Sequence, residues 1–360
     1  MAEYYVYMYT AVVFLLTLLK VNVYSRLSFI PMSQRRIEPL DGAVVLTILM
    51  IIFIGFRPIS YVFTDMTGYT QAMVDGRFEG QDIRWDTNYL FQPMMAFLSS
   101  HGASKRTPIV ILAIINFGAT FIAMRKMFPK DVLIAMLVFF GAFSTFGAAT
   151  NGLKAGCAAA LFLVSLAYRE KKLICCIFIF LSMGFHHSMQ LPIVAFVLCS
   201  LYKQTKIYFL FWLLCFFISA AHLTDFMNMF ESVTDEHGSI YFNEGLIREY
   251  EGKMGFRWDF ILYSAMPLLL GHYFIFKKKI TSEKYQFLLN LYLLVNAVWM
   301  LCMYAQFTNR IAYLSWLMYP VMIIYPFLNT KTGVGPTRLF RNVVIVHIGF
   351  TLFMQFIYYV

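Results

Sequence analysis

Three ionisable side chains lie at the ends of apolar segments, where they could act together on a charged, membrane-bound substrate. Lys154 follows the run 150–153, His186 closes a long apolar run, and Arg310 follows Asn309. An ionisable group at membrane depth costs roughly 2.5–3.5 kcal/mol on insertion scales, so it usually lines a polar cavity or a substrate path. Arginine and lysine bind phosphate oxygens, and histidine can move a proton near neutral pH. The three residues therefore predict a site for an anionic substrate.

The composition predicts the elements that must position this site. Hydrophobic residues make up 60% of the chain and charged residues 13%, whereas a soluble domain carries about 25% charged residues. Apolar runs recur along the whole chain, and they are continuous rather than alternating, which indicates helices. We therefore predict one integral membrane domain, residues 1–360, folded as an all-α polytopic transmembrane bundle of about 12 spans. The predicted spans are 4–24, 42–56, 108–124, 131–149, 155–168, 173–185, 188–201, 207–222, 258–276, 285–306, 311–328 and 341–359.

The charge distribution predicts the orientation of the spans. The net charge is +10, and the basic residues fall in short loops between spans, as in cytoplasmic loops that obey the positive-inside rule. Anionic lipid headgroups, not nucleic acid, are therefore the expected counter-charge. The basic loop residues are Arg26, Arg35, Arg36, Arg125, Lys126, Lys130, Arg169, Lys171, Lys172, Lys203, Lys206, Lys277, Lys278, Lys279, Lys331, Arg338 and Arg341.

Two large regions are then expected outside the cell, 57–107 and 223–257. The segment 89–100 within the first is too short to span and is predicted to be a re-entrant or interfacial helix. The arms 173–185 and 188–201 are also short, so the hairpin tip at His186 is expected to lie recessed below the outer surface, as broken helices do at substrate sites.

Further polar residues are expected on the same outer side as Lys154, His186 and Arg310. Arg57, Asp65 and Tyr69 follow the second span, Asn151 precedes Lys154, and Tyr313 follows Arg310 within the segment that begins at Asn309. Three cations, a carboxylate and an imidazole suit a polyanionic, lipid-linked substrate. The spacing of histidines, cysteines and carboxylates does not suggest a metal site, so we expect neither a metal nor another cofactor.

The order of these motifs resembles the core of the EpsG-like polysaccharide polymerases, multi-span proteins related in role to the Wzy polymerases of capsule and O-antigen synthesis. The resemblance covers most of the chain. It departs at Lys154-Ala155, where the family usually has Arg-Gln, so the positive charge is kept but the bidentate fork is lost. The segments that carry the resemblance are Arg57 with Asp65 and Tyr69, Asn151 to Lys154, Tyr168 to Lys172, Phe185-His186-His187-Ser188, and Asn309-Arg310 with Tyr313.

The resemblance implies an enzyme on the outer face of the bacterial cytoplasmic membrane. It would join polyprenyl-pyrophosphate-linked oligosaccharide repeats into a surface polysaccharide, be it capsule, exopolysaccharide or O-antigen. Its expected partners are the lipid bilayer, the lipid-linked oligosaccharide, a chain-length regulator and a flippase. The expected catalytic residues are His186, Asp65, Arg57 and Arg310, and the expected substrate-binding residues are Lys154, Asn151, Tyr69, Asn309 and Tyr313.

Several alternatives stay open at the level of sequence. The general base is either Asp65 or His186, and His187 competes with His186, although the spacing to Ser188 favours His186. Arg57 and Arg310 could instead be interfacial anchors. For the whole protein, the rival functions are a transporter or flippase for a lipid-linked glycan, and a glycan ligase or acyltransferase.

Overall fold

The computed structural model describes residues 4–26, 38–78, 85, 87–223, 255–329 and 338–359, and regular structure in these ranges is helical. This confirms the predicted all-α class. The α-helices are α1 (Tyr5–Arg26), α2 (Asp41–Gly55), α3 (Thr64–Val74), α4 (Phe91–Ser100), α5 (Thr107–Met127), α6 (Val132–Phe140), α7 (Phe143–Thr150), α8 (Leu153–Ala167), α9 (Lys172–Phe185), α10 (Gln190–Leu201), α11 (Thr205–Ala220), α12 (Trp258–His272), α13 (Glu283–Leu301), α14 (Thr308–Trp316), α15 (Tyr319–Leu328) and α16 (Arg338–Tyr359).

The predicted count of about 12 spans is not supported, although each predicted span coincides with helical structure. Four helical stretches in the described residues are long and apolar enough to cross a membrane, or five if one bent pair forms a single span. Others are too short, because a helix of 14 residues such as α9 measures about 21 Å against a hydrocarbon core of about 30 Å. The four long stretches are Tyr5–Tyr24, Thr107–Met127, Trp258–Lys277 and Thr308–Leu328.

The predicted span 131–149 is broken in the middle. Its halves, α6 and α7, meet at an angle of 75°, and Ala142 between them has an extended backbone. Side chains satisfy carbonyls that the break frees, as apolar surroundings require. Tyr9 donates to the Phe140 oxygen at 2.8 Å, and Thr145 donates to the Phe139 oxygen at 2.7 Å. The sequence of this segment is apolar on both sides of the break and did not predict it.

The described part of the predicted outer region 57–107 contains two helices. The helix expected at 89–100 is confirmed as α4, a ten-residue helix that is too short to span. The sequence did not predict α3, which has only weak amphipathic character and follows a turn at Tyr61 and Val62. The second predicted outer region, 223–257, lies outside the described residues from 224 to 254.

The chain divides into two units, 1–186 with 327–360 and 187–326. In the first unit, α5 packs against α2 and α8, and α8 packs against α9. Pro108 in the first turn of α5, and Arg125 and Lys126 in its last turn, suit a helix start and a helix end. In the second unit, α13 packs against α11 and α14.

A buried polar network holds the second unit together. The Asn296 amide accepts a hydrogen bond from Trp212 Nε1 at 2.8 Å and donates to the hydroxyls of Ser264 at 3.1 Å and Ser315 at 2.9 Å. Trp316 Nε1 also donates to the Ser264 hydroxyl, at 2.8 Å. The network joins α11, α12, α13 and α14, and its buried polar groups are matched to one another.

Large apolar side chains cover much of the outer surface of the helices. Leu15, Leu49, Leu210 and Leu269 are each more than half exposed. A water-soluble protein rarely exposes apolar patches on this scale, whereas lipid covers them in a membrane. The surface and the apolar helices together indicate a membrane protein.

Candidate functional site

Asp65 and Lys154 meet at the start of α8. Asp65 lies in the first turn of α3, and its Oδ2 accepts a hydrogen bond from the backbone N–H of Leu153 at 3.3 Å. An anion at a helix N-terminus is stabilised by the unpaired N–H groups and by the helix dipole. Lys154 is the next residue of α8, and both ionisable side chains are partly exposed. Segments far apart in the chain thus place a carboxylate and an ammonium at one helix start.

Asn151 lies in the turn that joins α7 to α8. Its Nδ2 donates to the Val62 oxygen at 3.3 Å, which ties the turn to the segment before α3. Its Oδ1 is buried and has no hydrogen-bond partner among the described residues. A buried acceptor without a partner is uncommon in a folded protein. Asn151 therefore offers one amide oxygen that the fold itself does not use.

Aromatic rings extend this group on the side of α4. The Lys154 Nζ lies 5.9 Å from the centre of the Phe91 ring, and the Tyr69 ring lies 5.0 Å from the same ring. Phe91 is buried, and it is a neighbour of Lys154 that sequence reasoning missed, because nothing in the sequence relates α4 to α8. We call Asp65, Tyr69, Phe91, Asn151 and Lys154 the α3–α8 cluster.

Arg57 lies behind this cluster and is fully buried. Its Nη1 donates to the Ile54 oxygen at 2.6 Å and its Nη2 to the Thr150 oxygen at 3.1 Å, at the ends of α2 and α7. Helix C-termini attract cations. Burial lowers the pKa of the Arg57 guanidinium to about 10, so it stays charged at neutral pH. The structure thus ties the Arg57 side chain to the end of α7, directly before Asn151.

A second arginine supports the first. Arg106 Nη1 donates to the backbone oxygen of Arg57 at 2.9 Å, and its guanidinium lies 5.9 Å from the centre of the Phe56 ring. Arg106 is not among the predicted site residues, because an arginine in a polar loop carries no sequence signal of its own. Its hydrogen bond fixes the chain at the point where α2 ends.

His186 follows the last residue of α9 and is buried. Two contacts fix this helix end. The Ser182 hydroxyl donates to the Ala158 oxygen of α8 at 2.7 Å, and the backbone N–H of Leu90 donates to the Gly184 oxygen at 2.8 Å. The contacts fix the backbone of the last turn of α9, which His186 follows, and the recessed position of the hairpin tip stays a prediction. His187 is partly exposed and begins a 3-10 turn.

The predicted residues of the second unit gather at the start of α14. Arg310 is exposed, and its backbone N–H donates to the Phe307 oxygen at 2.7 Å. Asn309 and Tyr313 lie one turn apart on α14, so their side chains share one face of the helix. The Trp299 indole donates to the Thr308 hydroxyl at 3.0 Å and anchors this helix start.

Apart from His186 at the end of α9, the predicted site residues form two groups, each within its own unit. In the first unit the structure brings together Asp65, Tyr69, Asn151 and Lys154, with Arg57 buried behind them. In the second unit Asn309, Arg310 and Tyr313 share the first turns of α14. Within the described ranges, no group of three or more histidine, cysteine, aspartate or glutamate side chains could hold a metal ion.

Comparison with known proteins assigns the family. The model of the EpsG family matches residues 43–360, which include every predicted site residue. No curated protein and no solved structure matches the chain. The chain belongs to the EpsG family, a family of Wzy-like polysaccharide polymerases.

Proposed function

We propose that this member of the EpsG family polymerises polyprenyl-pyrophosphate-linked oligosaccharide repeats on the outer face of the bacterial cytoplasmic membrane. The α3–α8 cluster carries the proposal. It gathers a carboxylate, an ammonium, an amide and a tyrosine at one helix start, from segments far apart in the chain. A set of this kind can bind sugar hydroxyls and phosphate oxygens at once.

The reaction requires stabilisation of a leaving group. A hydroxyl oxygen of one repeat forms a bond to the anomeric carbon of the glycan on a second carrier, and the bond from that carbon to the pyrophosphate oxygen breaks. Negative charge develops on the departing pyrophosphate. Lys154 of the first unit is partly exposed and Arg310 of the second unit is exposed, so a phosphate can reach either cation. Arg57 contributes by holding the end of α7, and with it Asn151 and the start of α8.

The attacking hydroxyl must also lose a proton, and we assign this step to His186. The Asp65 carboxylate already accepts a backbone N–H at a helix start, which stabilises its anion and makes it a weaker base. A histidine takes up a proton near neutral pH. Asp65 then keeps the start of α8 in place beside Lys154.

A transporter of lipid-linked glycan is the second candidate, and one observation favours it. The bent pair α6 and α7 is a discontinuous helix, a feature of many transporter binding sites. The enzyme reading is preferred because the family model covers residues 43–360 and because the polar residues gather at helix ends. A flippase that delivers the repeats and a chain-length regulator are the expected partners.

The polymer length of surface glycan tests the proposal in cells that lack the native protein. Arg310→Ala should lower long polymer roughly 10²-fold at matched protein level, because one donor to the developing charge is lost. Arg310→Lys should be almost as low, since an ammonium does not replace a bidentate guanidinium.

Arg338→Lys is the matched control. Arg338 is exposed and lies in a predicted cytoplasmic loop, so polymer length should be unchanged in this variant. Full-length polymer from Arg310→Lys would contradict the phosphate contact and would make Arg310 an interfacial anchor.

A further inference from the structure

Phe307, directly before α14, has a backbone conformation that phenylalanine rarely adopts. Its φ is 51° and its ψ is 33°, which is the left-handed region. A side chain with a Cβ crowds the following carbonyl there, and a bulky residue in this region is uncommon. Residues held in such conformations cluster at functional sites when their surroundings over-determine them. Glycine would adopt this conformation without strain, so the presence of phenylalanine suggests that its side chain has a function.

The surroundings of Phe307 do impose this conformation. The Thr308 hydroxyl accepts a hydrogen bond from Trp299 Nε1 at 3.0 Å and donates to the Cys302 oxygen at 3.3 Å. The Phe307 oxygen accepts the backbone N–H of Arg310 at 2.7 Å, which begins α14. The chain that directly follows Phe307 is thus fixed by hydrogen bonds at the start of α14.

The imposed conformation places an aromatic ring beside a cation. The Phe307 side chain is 42% exposed. The Arg310 guanidinium carbon lies 5.0 Å from the centre of the ring, within cation–π distance. An apolar ring face and an exposed cation therefore adjoin at one surface.

We propose that Phe307 stacks on the sugar ring that is joined directly to the phosphate contacted by Arg310. This inference rests on the proposed function and deepens it, because it assigns the carrier-proximal sugar to a binding residue. The face of an aromatic ring carries partial negative charge, and the C–H groups of a pyranose carry partial positive charge. A glycosyl pyrophosphate carries a pyranose ring directly beside its anionic oxygens. The pyranose would lie on the Phe307 ring, and the anionic oxygens would bind the Arg310 guanidinium.

A membrane anchor is the alternative occupant of this position. An aromatic anchor is held by its contacts with the membrane–water interface. It can occupy that interface from an ordinary backbone conformation. It does not require a left-handed turn that fixes the ring beside Arg310. An anchor would also be indifferent to the presence of a sugar on the lipid, and this difference can be measured.

The test measures binding of two probes to the purified full chain in lipid nanodiscs. One probe is undecaprenyl pyrophosphate that carries a single N-acetylhexosamine, and the other is undecaprenyl pyrophosphate without sugar. Wild type should prefer the sugar-bearing probe. Phe307→Gly should weaken binding of the sugar-bearing probe roughly fivefold and leave the bare carrier unchanged. Phe307→Tyr keeps the ring and should bind both probes like wild type.

Lys279→Gly is the matched control for backbone strain. Lys279 is exposed and has a φ of 53°, so glycine relieves the same conformation at a predicted cytoplasmic position. Both glycine variants should be at least as stable to heat as wild type, and Lys279→Gly should bind both probes normally.

Three outcomes would overturn the stacking role. They are equal binding of the two probes by wild type, unchanged binding of the sugar-bearing probe by Phe307→Gly, and equal weakening of both probes by that variant. The last result would mean that Phe307 only orients Arg310. Polymerisation does not enter this readout, so a sugar preference that depends on Phe307 would stand even if the chain proved not to be a polymerase.

Discussion

Arg57 and Arg310 carry the same guanidinium in opposite surroundings. Arg57 is fully buried against two helix ends, whereas Arg310 is exposed at the start of α14. Both residues follow an apolar segment in the sequence, so sequence patterns assigned them one role. Tertiary packing decides their difference, because the Thr150 carbonyl that binds Arg57 is 93 residues away. A single sequence does not reveal such a partner.

Substitution of the two adjacent histidines, His186 and His187, distinguishes a catalytic residue from a structural one. His186→Ala should lower polymerisation roughly 10²–10⁴-fold, since a general base is lost, while a single repeat accumulates on its carrier. His187→Ala should keep polymer. The measurement is glycan length on a gel at matched protein abundance. Loss of polymer in His187→Ala alone would transfer the role to that residue, and equal polymer from both variants would leave Asp65 as the base.

At the scale of elements, the end of α9 is held by a close approach of backbone to side chain. A Cβ added to Gly184 would lie 2.5 Å from Leu90 Cγ and 2.6 Å from Tyr89 Cε2. Both are shorter than any ordinary contact, so only glycine allows the start of α4 to pack here. This packing fixes the helix end that carries His186.

Gly184→Ala should therefore destabilise the protein by about 1–3 kcal/mol, because the close packing must open. Gly349→Ala is the matched control. Gly349 lies in α16 with nothing within 4 Å of an added Cβ, so alanine there should stabilise the helix by about 0.5–1 kcal/mol. Thermal unfolding of the two purified variants measures both. Equal melting temperatures would show that the packing at the end of α9 accommodates the added methyl group without loss of stability.

The helices were predictable from sequence more fully than the site was. Long apolar runs gave the positions of α1, α5 and α16 to within a few residues, because hydrophobic burial and backbone hydrogen bonding act locally along each run. The break between α6 and α7 was not predictable, since Tyr9 and other distant side chains satisfy the freed carbonyls. The left-handed turn at Phe307 depends likewise on Thr308 and its partners.

At the scale of the whole molecule, the charge distribution predicts which side of the membrane each loop faces. Lys172 and Lys278 are predicted to be cytoplasmic and Asp75 external, while Glu244, also predicted to be external, lies outside the described residues. Single cysteines at these positions, in a chain without its six native cysteines, should react with an impermeant reagent from outside only at 75 and 244. Strong external labelling at 278 would contradict the orientation.

The central claim is that the chain forms glycosidic bonds between lipid-linked repeats. The most direct measurement uses purified protein in vesicles, supplied with the lipid-linked glycan that accumulates in cells lacking it. A polymerase should give a ladder of products that grow by one repeat, with one polyprenyl pyrophosphate released for each bond formed. Movement of the glycan across the vesicle membrane without a ladder would contradict polymerase activity and identify a transporter.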